Sequence, residues 1–142
     1  FNILLYMKIG YVAMVCDLFH YGHLNFIKNA KAKCDYLIVG LHSDNDVKSY
    51  KRLPILNIEE RKKVLEGCKY IDKIIINAPL IITNKFMESI NADIFIYATN
   101  NIEEDKKWKK DFLHIDDSRL IKIQYTNTIS TTLIIDRILS RK

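Results

Sequence analysis

Two continuous apolar runs of strand length, residues 9–15 and 36–41, stand on either side of a helix-length segment in which Leu24, Ile27 and Ala30 recur three apart. A strand without polar alternation is covered on both faces, which is the pattern of a parallel sheet. Two parallel strands joined through a helix make a right-handed crossover. Further short apolar runs at 73–76, 94–97 and 120–123 alternate with helical patterns at 85–90 and 131–139. The sequence therefore predicts an α/β fold: one Rossmann-like, doubly wound domain over residues 1–142 with a parallel sheet of about five strands. Ligands of such folds bind at the carboxyl ends of the strands.

Local signals place the remaining elements. Asn57 followed by Glu60 predicts a capped helix running to about Cys68, with Val64, Leu65 and Cys68 inward. Residues 42–46 read as a polar loop leading into residues 47–52, where Pro54 bars a regular helix. Residues 100–117 are highly charged and helical only around Trp108.

The chain of 142 residues is long enough to bury a core, and 49% hydrophobic with 27% charged residues excludes a disordered chain. Its net charge of +5 is spread over several elements, which suits a basic pocket rather than a nucleic-acid surface. Trp108 among Lys106, Lys107, Lys109 and Lys110 reads as an amphipathic helix with its indole turned inward, and no nucleic-acid partner is expected. Cys16, Cys34 and Cys68 lack C-x-x-C spacing, which argues against a disulfide framework and a zinc site and for a reduced, cytoplasmic protein. The apolar opening, interrupted by Asn2 and Lys8, is shorter than the roughly 20 residues a membrane helix needs. It also lacks a signal peptide's basic start and cleavage site, so membrane insertion is not expected; the missing initial Met suggests a trimmed chain or a piece of a longer one.

Chemistry concentrates where the first apolar run stops. Val15, Cys16, Asp17, Leu18, Phe19, His20, Tyr21, Gly22 and His23 form a strand-to-helix turn carrying two imidazoles around one glycine. Backbone N–H groups left unpaired by a starting helix suit an anion, phosphate first among them. The histidines alone are open to three readings: a metal pair, buried core residues, or donors to a phosphoryl transition state. Asp17 orients a histidine or bonds the helix start, and residue types do not separate the two.

The H-x-G-H pattern of His20 to His23 resembles the signature of the cytidylyltransferase family of nucleotidyltransferases. The resemblance continues through Ser49, Tyr50, Lys51, Arg52, Leu53 and Pro54, then Glu60 and Arg61, then Ile129, Ser130, Thr131 and Thr132, in family order. It implies an enzyme that moves CMP from CTP, carried with Mg2+, to a small phosphorylated alcohol or phosphonate and releases pyrophosphate. It implies His20, His23 and Lys51 as catalytic residues, the histidines giving positive hydrogen-bond donors and Gly22 close backbone approach to the phosphate. It implies nucleotide contacts from Val15, Cys16, Asp17, Gly22, Arg61, Ala98, Thr99, Asn100 and Ile129 to Thr132, with Lys48 and Tyr50 at the acceptor and Arg52 as a further phosphate candidate. Family members are commonly homodimers.

The chain departs from the usual family pattern at Met14, Cys16, Tyr125 and Thr128, and in Ala98, Thr99 and Asn100, where Gly-Asp-Asp is usual. Residues 10–14 and 50–54 resemble the branch associated with phosphoenolpyruvate mutase in phosphonate biosynthesis. Residues 40–44 and 77–83 resemble the ethanolamine-phosphate branch, particularly its second domain, whose active-site motifs are weakened. The alternatives are a catalytically impaired nucleotide-binding domain supporting a partner, or an adenylyltransferase of the same superfamily.

Overall fold

The computed structural model describes residues 7–112 and 114–141. Most of the apolar opening, residues 1–6, lies outside the described residues. The strands are β1 (Ile9–Met14), β2 (Tyr36–Leu41), β3 (Lys73–Ile76), β4 (Ile94–Tyr97) and β5 (Leu120–Lys122). They form one sheet in the order β3-β2-β1-β4-β5, and every neighbouring pair is parallel. The helices are α1 (Tyr21–Lys31), α2 (Asp44–Tyr50), α3 (Ile58–Glu66), α4 (Asn84–Ser89), α5 (Ile102–Lys109) and α6 (Thr131–Leu139).

Period-two alternation along β1 divides the core. Val12 packs with Leu37, Val39, Ile94 and Ile96 against Ile27 and Ala30 of α1 and Leu65 of α3. Ile9 and Tyr11 pack with Ile38 and Phe95 against Met87 of α4, Ile82 and Phe112. The chain winds from β1 outward to β3 and then returns to β4 on the other flank of β1. The carboxyl ends of β1 and β4 thus open the crevice that this topology leaves for a ligand.

Three expectations are corrected. Residues 44–50 form α2 rather than loop, because the Ser43 hydroxyl accepts the Asp46 N–H at 3.1 Å and Asp44 and Asp46 sit at the positive end of the helix dipole. Pro54 falls beyond the end of α2 and so does not interrupt it. On α3 the inward residues are Arg61 and Leu65, while Val64 is 45% exposed. On α1 only Ile27 and Ala30 are buried, and Leu24 lies at the surface. The predicted Asn57–Glu60 box is present: Glu60 N–H donates to Asn57 Oδ1 at 2.9 Å and Asn57 N–H to Glu60 Oε1 at 3.0 Å.

Candidate active site at the ends of β1 and β4

Between β1 and α1 the backbone bends twice through the left-handed region, at Cys16 (φ 57°) and Leu18 (φ 51°). Such conformations cost a side-chain-bearing residue about 1–3 kcal/mol each and persist only when the surroundings hold them. Three ties do so. Arg61 Nη1 donates to Val15 O at 2.8 Å. The Asp17 carboxylate accepts the N–H groups of Ile55 and Leu56 at 2.8 and 2.9 Å. Thr131 Oγ1 donates to Asp17 O at 2.7 Å.

The two histidines then cap α1 themselves. His20, the N-cap, accepts the Gly22 N–H on Nδ1 at 3.1 Å, and His23 Nδ1 accepts the His20 N–H at 3.2 Å. An imidazole nitrogen that accepts a hydrogen bond carries no proton, so each neutral ring bears its proton on Nε2. The rings stack with centroids 3.8 Å apart. Nε2 of His20 lies 3.4 Å from Thr131 Oγ1, whose own proton is directed to Asp17 O, so the imidazole donates in that pair.

Burial lowers the pKa of His20, and burial, then His20 and Lys51, lower that of His23 to about 3. Both rings are therefore neutral donors near neutral pH. This corrects the expectation of positively charged imidazoles. A Cβ on Gly22 would stand 2.9 Å from Cε1 of His20 and 3.1 Å from Cγ2 of Ile129. The glycine thus makes room for the His20 ring itself, ahead of any phosphate.

These groups face a cavity of about 480 Å3. Val15, Cys16, Asp17, Gly22 and both histidines enter it from the β1–α1 turn, and Tyr50, Lys51 and Arg52 from the end of α2. Ala98 and Thr99 line it after β4, and Ile129, Ser130, Thr131 and Thr132 at the start of α6. Ser130 caps α6 by accepting the Leu133 N–H at 3.0 Å, and Arg52 Nη1 donates to Thr132 Oγ1 at 3.2 Å. Burial, followed by the charge of Arg52, lowers the pKa of Lys51.

Five expected contacts are directed otherwise. Arg61 is fully buried: besides Val15 O, it donates to Leu56 O at 3.1 Å, His42 O at 2.9 Å and Asp44 Oδ1 at 2.7 Å. It joins the ends of β1 and β2 to the strap between α2 and α3 and does not line the cavity. Asp17 neither orients a histidine nor caps α1, since its carboxylate holds that strap. Lys48 is exposed and lies outside the cavity lining, as is Asn100. The Thr99 hydroxyl is directed to Asp105 at 3.3 Å.

His42 and Trp108 were not singled out as site residues from sequence, yet both line the cavity. Trp108 is turned inward as expected, its ring 5.5 Å from that of Tyr50. No group of three histidine, cysteine or acidic residues among the described residues is arranged to hold a metal ion. Among the same residues no helix is long and apolar enough to cross a membrane.

Comparison with known proteins gives consistent matches. The family model described as cytidylyltransferase-like matches residues 15–137. The chain is 33% identical over 124 residues to a probable ethanolamine-phosphate cytidylyltransferase of Encephalitozoon cuniculi, covering 87% of this chain and 38% of that protein. It is 33% identical over 132 residues to mouse choline-phosphate cytidylyltransferase A, covering 90% of this chain and 35% of that protein. The chain thus spans well under half the length of these relatives. Among solved structures, a lipopolysaccharide core biosynthesis protein from Thermoplasma volcanium superposes with a TM-score of 0.66 at 20% identity, over 85% of this chain and 99% of that one, a likeness of fold.

Proposed function

The chain belongs to the cytidylyltransferase-like family, and from that premise we propose that it transfers CMP from CTP to a small phosphorylated alcohol, of which phosphoethanolamine is the leading candidate, with release of pyrophosphate. The observation that carries this reading is the capping box built from His20 and His23, which aligns two neutral Nε2–H donors beside Lys51 and the start of α6 in one cavity. An acceptor phosphate oxygen attacks the α-phosphorus of CTP. The new P–O bond forms as the bond to the β-phosphate oxygen breaks, and pyrophosphate leaves with that electron pair. Such a displacement needs positioning and fixed donors more than a nucleophile from the protein. The His23 Nε2–H supplies one such donor, that of His20 turns from Thr131 Oγ1 to the phosphate, and Lys51 and Arg52 supply positive charge toward the triphosphate. CTP would enter as its magnesium complex, the ion adding positive charge that offsets the triphosphate. A homodimer fits the apolar side chains that α6 leaves exposed at Ile138 and Leu139, and three free cysteines fit a reducing, cytoplasmic setting; sedimentation checks the assembly.

A second reading is a nucleotide-binding domain with reduced catalysis. It is favoured by the loop after β4, where Thr99 is directed to Asp105 and Asn100 points outward, leaving few side chains to recognise a base. One experiment separates the two. Pyrophosphate release is followed with CTP or ATP against phosphoethanolamine, phosphocholine, glycerol phosphate and hydroxyethylphosphonate, with His23→Ala as control. Release with CTP and one acceptor, abolished by His23→Ala, is expected. Silence across the panel alongside measurable CTP binding supports the second reading, and release with ATP alone makes the chain an adenylyltransferase.

A further inference from the structure

Between β5 and α6 the chain runs from residue 124 to residue 129 without a backbone–backbone hydrogen bond among the described residues. Its two ends are fixed. Ile123 N–H donates to Tyr97 O at 2.9 Å, and Ser130 and Thr131 are held by the cap of α6 and by the Asp17 carbonyl. In between, two side-chain hydrogen bonds tie the segment to α1. The Tyr21 and Thr128 hydroxyls meet at 3.0 Å, and Asn25 Nδ2 donates to Thr126 Oγ1 at 3.3 Å. Tyr21 and Asn25 stand four apart on α1 and therefore share one helix face.

Open space lies on both sides of this segment. Gln124, Tyr125, Thr126 and Ile129 line the cavity of about 480 Å3 that the histidines face. The run from Gln124 to Thr128 also walls a second concavity of about 310 Å3, whose far side is formed by Asn25 and Asn29. A wall with a void behind it moves without forcing the sheet or α1 to repack. Every side chain around that void carries an amide or a hydroxyl, so a displaced segment finds hydrogen-bond partners there. The Tyr21–Thr128 pair is exposed, and hydrogen bonds that compete with water contribute roughly tenfold or less each to an equilibrium. The closed wall is favoured, and its opening is a local event of low cost.

We propose that Tyr21 and Asn25 are positioning residues that latch residues 124–129 as a movable wall of the nucleotide cavity, which swings toward the second concavity to admit or release the nucleotide. The proposal rests on the reading of the larger cavity as the CTP site. Because the segment leads into Ser130, Thr131 and Thr132, a latched wall presents the start of α6 to the phosphates already ordered, and binding is spared that ordering cost. Neither latch side chain lines the nucleotide cavity. The caps made by His20 and His23 use their own Nδ1 atoms, so releasing the latch leaves the histidine turn in place.

Tyr21→Phe and Thr128→Val delete the same bond from its two sides at nearly constant volume, and Asn25→Leu deletes the other. Each substitution is expected to weaken CTP binding, measured by calorimetry, about threefold to tenfold. The Tyr21→Phe/Thr128→Val double variant is expected to lose no more than either single one, because only one bond is removed. In steady-state kinetics KM for CTP is expected to rise by more than kcat falls. The wall is also read without ligand. Tyr125, 38% exposed, stands on it, and chymotrypsin cuts after tyrosine. Cleavage at Tyr125, identified by fragment mass, is expected to run about threefold to tenfold faster in the variants, and CTP is expected to slow it in the parent. Cleavage unmoved by Tyr21→Phe and Asn25→Leu overturns the latch, as do additive losses in the double variant. A CTP affinity unmoved by both substitutions, or a fall in kcat with KM unchanged, overturns the positioning role. A parent chain that binds no CTP removes the reading of the cavity, and the latch then stands or falls by the cleavage rates.

Discussion

Arg61 Nη1 lies 2.8 Å from the carbonyl oxygen of Val15 and donates to it, so a residue on α3 holds the backbone at the entrance to the histidine turn. The same guanidinium reaches His42 O, Leu56 O and Asp44. Arg61→Ala leaves these carbonyls and one carboxylate without their partner, and breaking a buried pair in this way costs about 3–5 kcal/mol. Chemical denaturation is expected to show that loss. Arg61→Lys, which restores the charge but not the fork of donors, is expected to recover less than half of it.

His23 has two separable roles, capping through Nδ1 and donation through Nε2. Asparagine reproduces an acceptor near the Nδ1 position but has no group at Nε2. His23→Asn is therefore expected to keep stability within about 1 kcal/mol of the parent while turnover falls about 10²–10³-fold, the usual effect of removing one preorganised donor. Steady-state kinetics beside urea denaturation decides it. Equal losses in nucleotide affinity and turnover, or a collapse of stability, contradict a transition-state role.

The lowered pKa of His23 has a definite sign in the pH dependence of folding. The unfolded chain takes up a proton near histidine's ordinary value of 6.5, and the folded chain resists until about 3. Below 6.5 the unfolded state binds more protons, so stability falls as pH drops from 6.5 toward 3 and is fully present above 6.5. The slope from one such histidine is about 1.4 kcal/mol per pH unit, and His20 and His42, also lowered mainly by burial, act in the same direction. Denaturation midpoints between pH 7 and pH 4.5 are expected to fall less steeply in His23→Asn by about that one-proton slope.

Gly22→Ala places a methyl group against the His20 ring and Ile129. Overpacking of this kind costs about 1–3 kcal/mol, and relief by rotating the imidazole moves Nε2 away from Thr131. Activity is expected to fall further than stability, by at least about tenfold in kcat, since a donor misplaced by about 1 Å loses more than that. A variant with parent-like turnover contradicts the packing account.

Much of this protein is determined locally. The parallel strands follow from apolar runs too continuous for a half-exposed sheet, and the caps of α3 and α6 follow from polar side chains within three residues of the N–H they satisfy. The histidine turn was legible for the same reason, because a strand end, a glycine and two imidazoles adjoin in the chain. What the sequence left open was decided across distance. Arg61 read as a nucleotide contact, yet its partners Val15 and His42 lie 46 and 19 residues away in the chain. Asp17 was undecided between two local roles and takes neither, because its partners are 38 and 39 residues away. His42 had no role readable from its neighbours, and its Nδ1 meets the Tyr50 hydroxyl at 3.2 Å only because the end of β2 lies beside α2. Periodicity and capping depend on neighbours in the chain and so are written in the residues themselves. The partners of a buried charge are carbonyls and N–H groups that every residue carries alike, and only assembly of the sheet chooses among them.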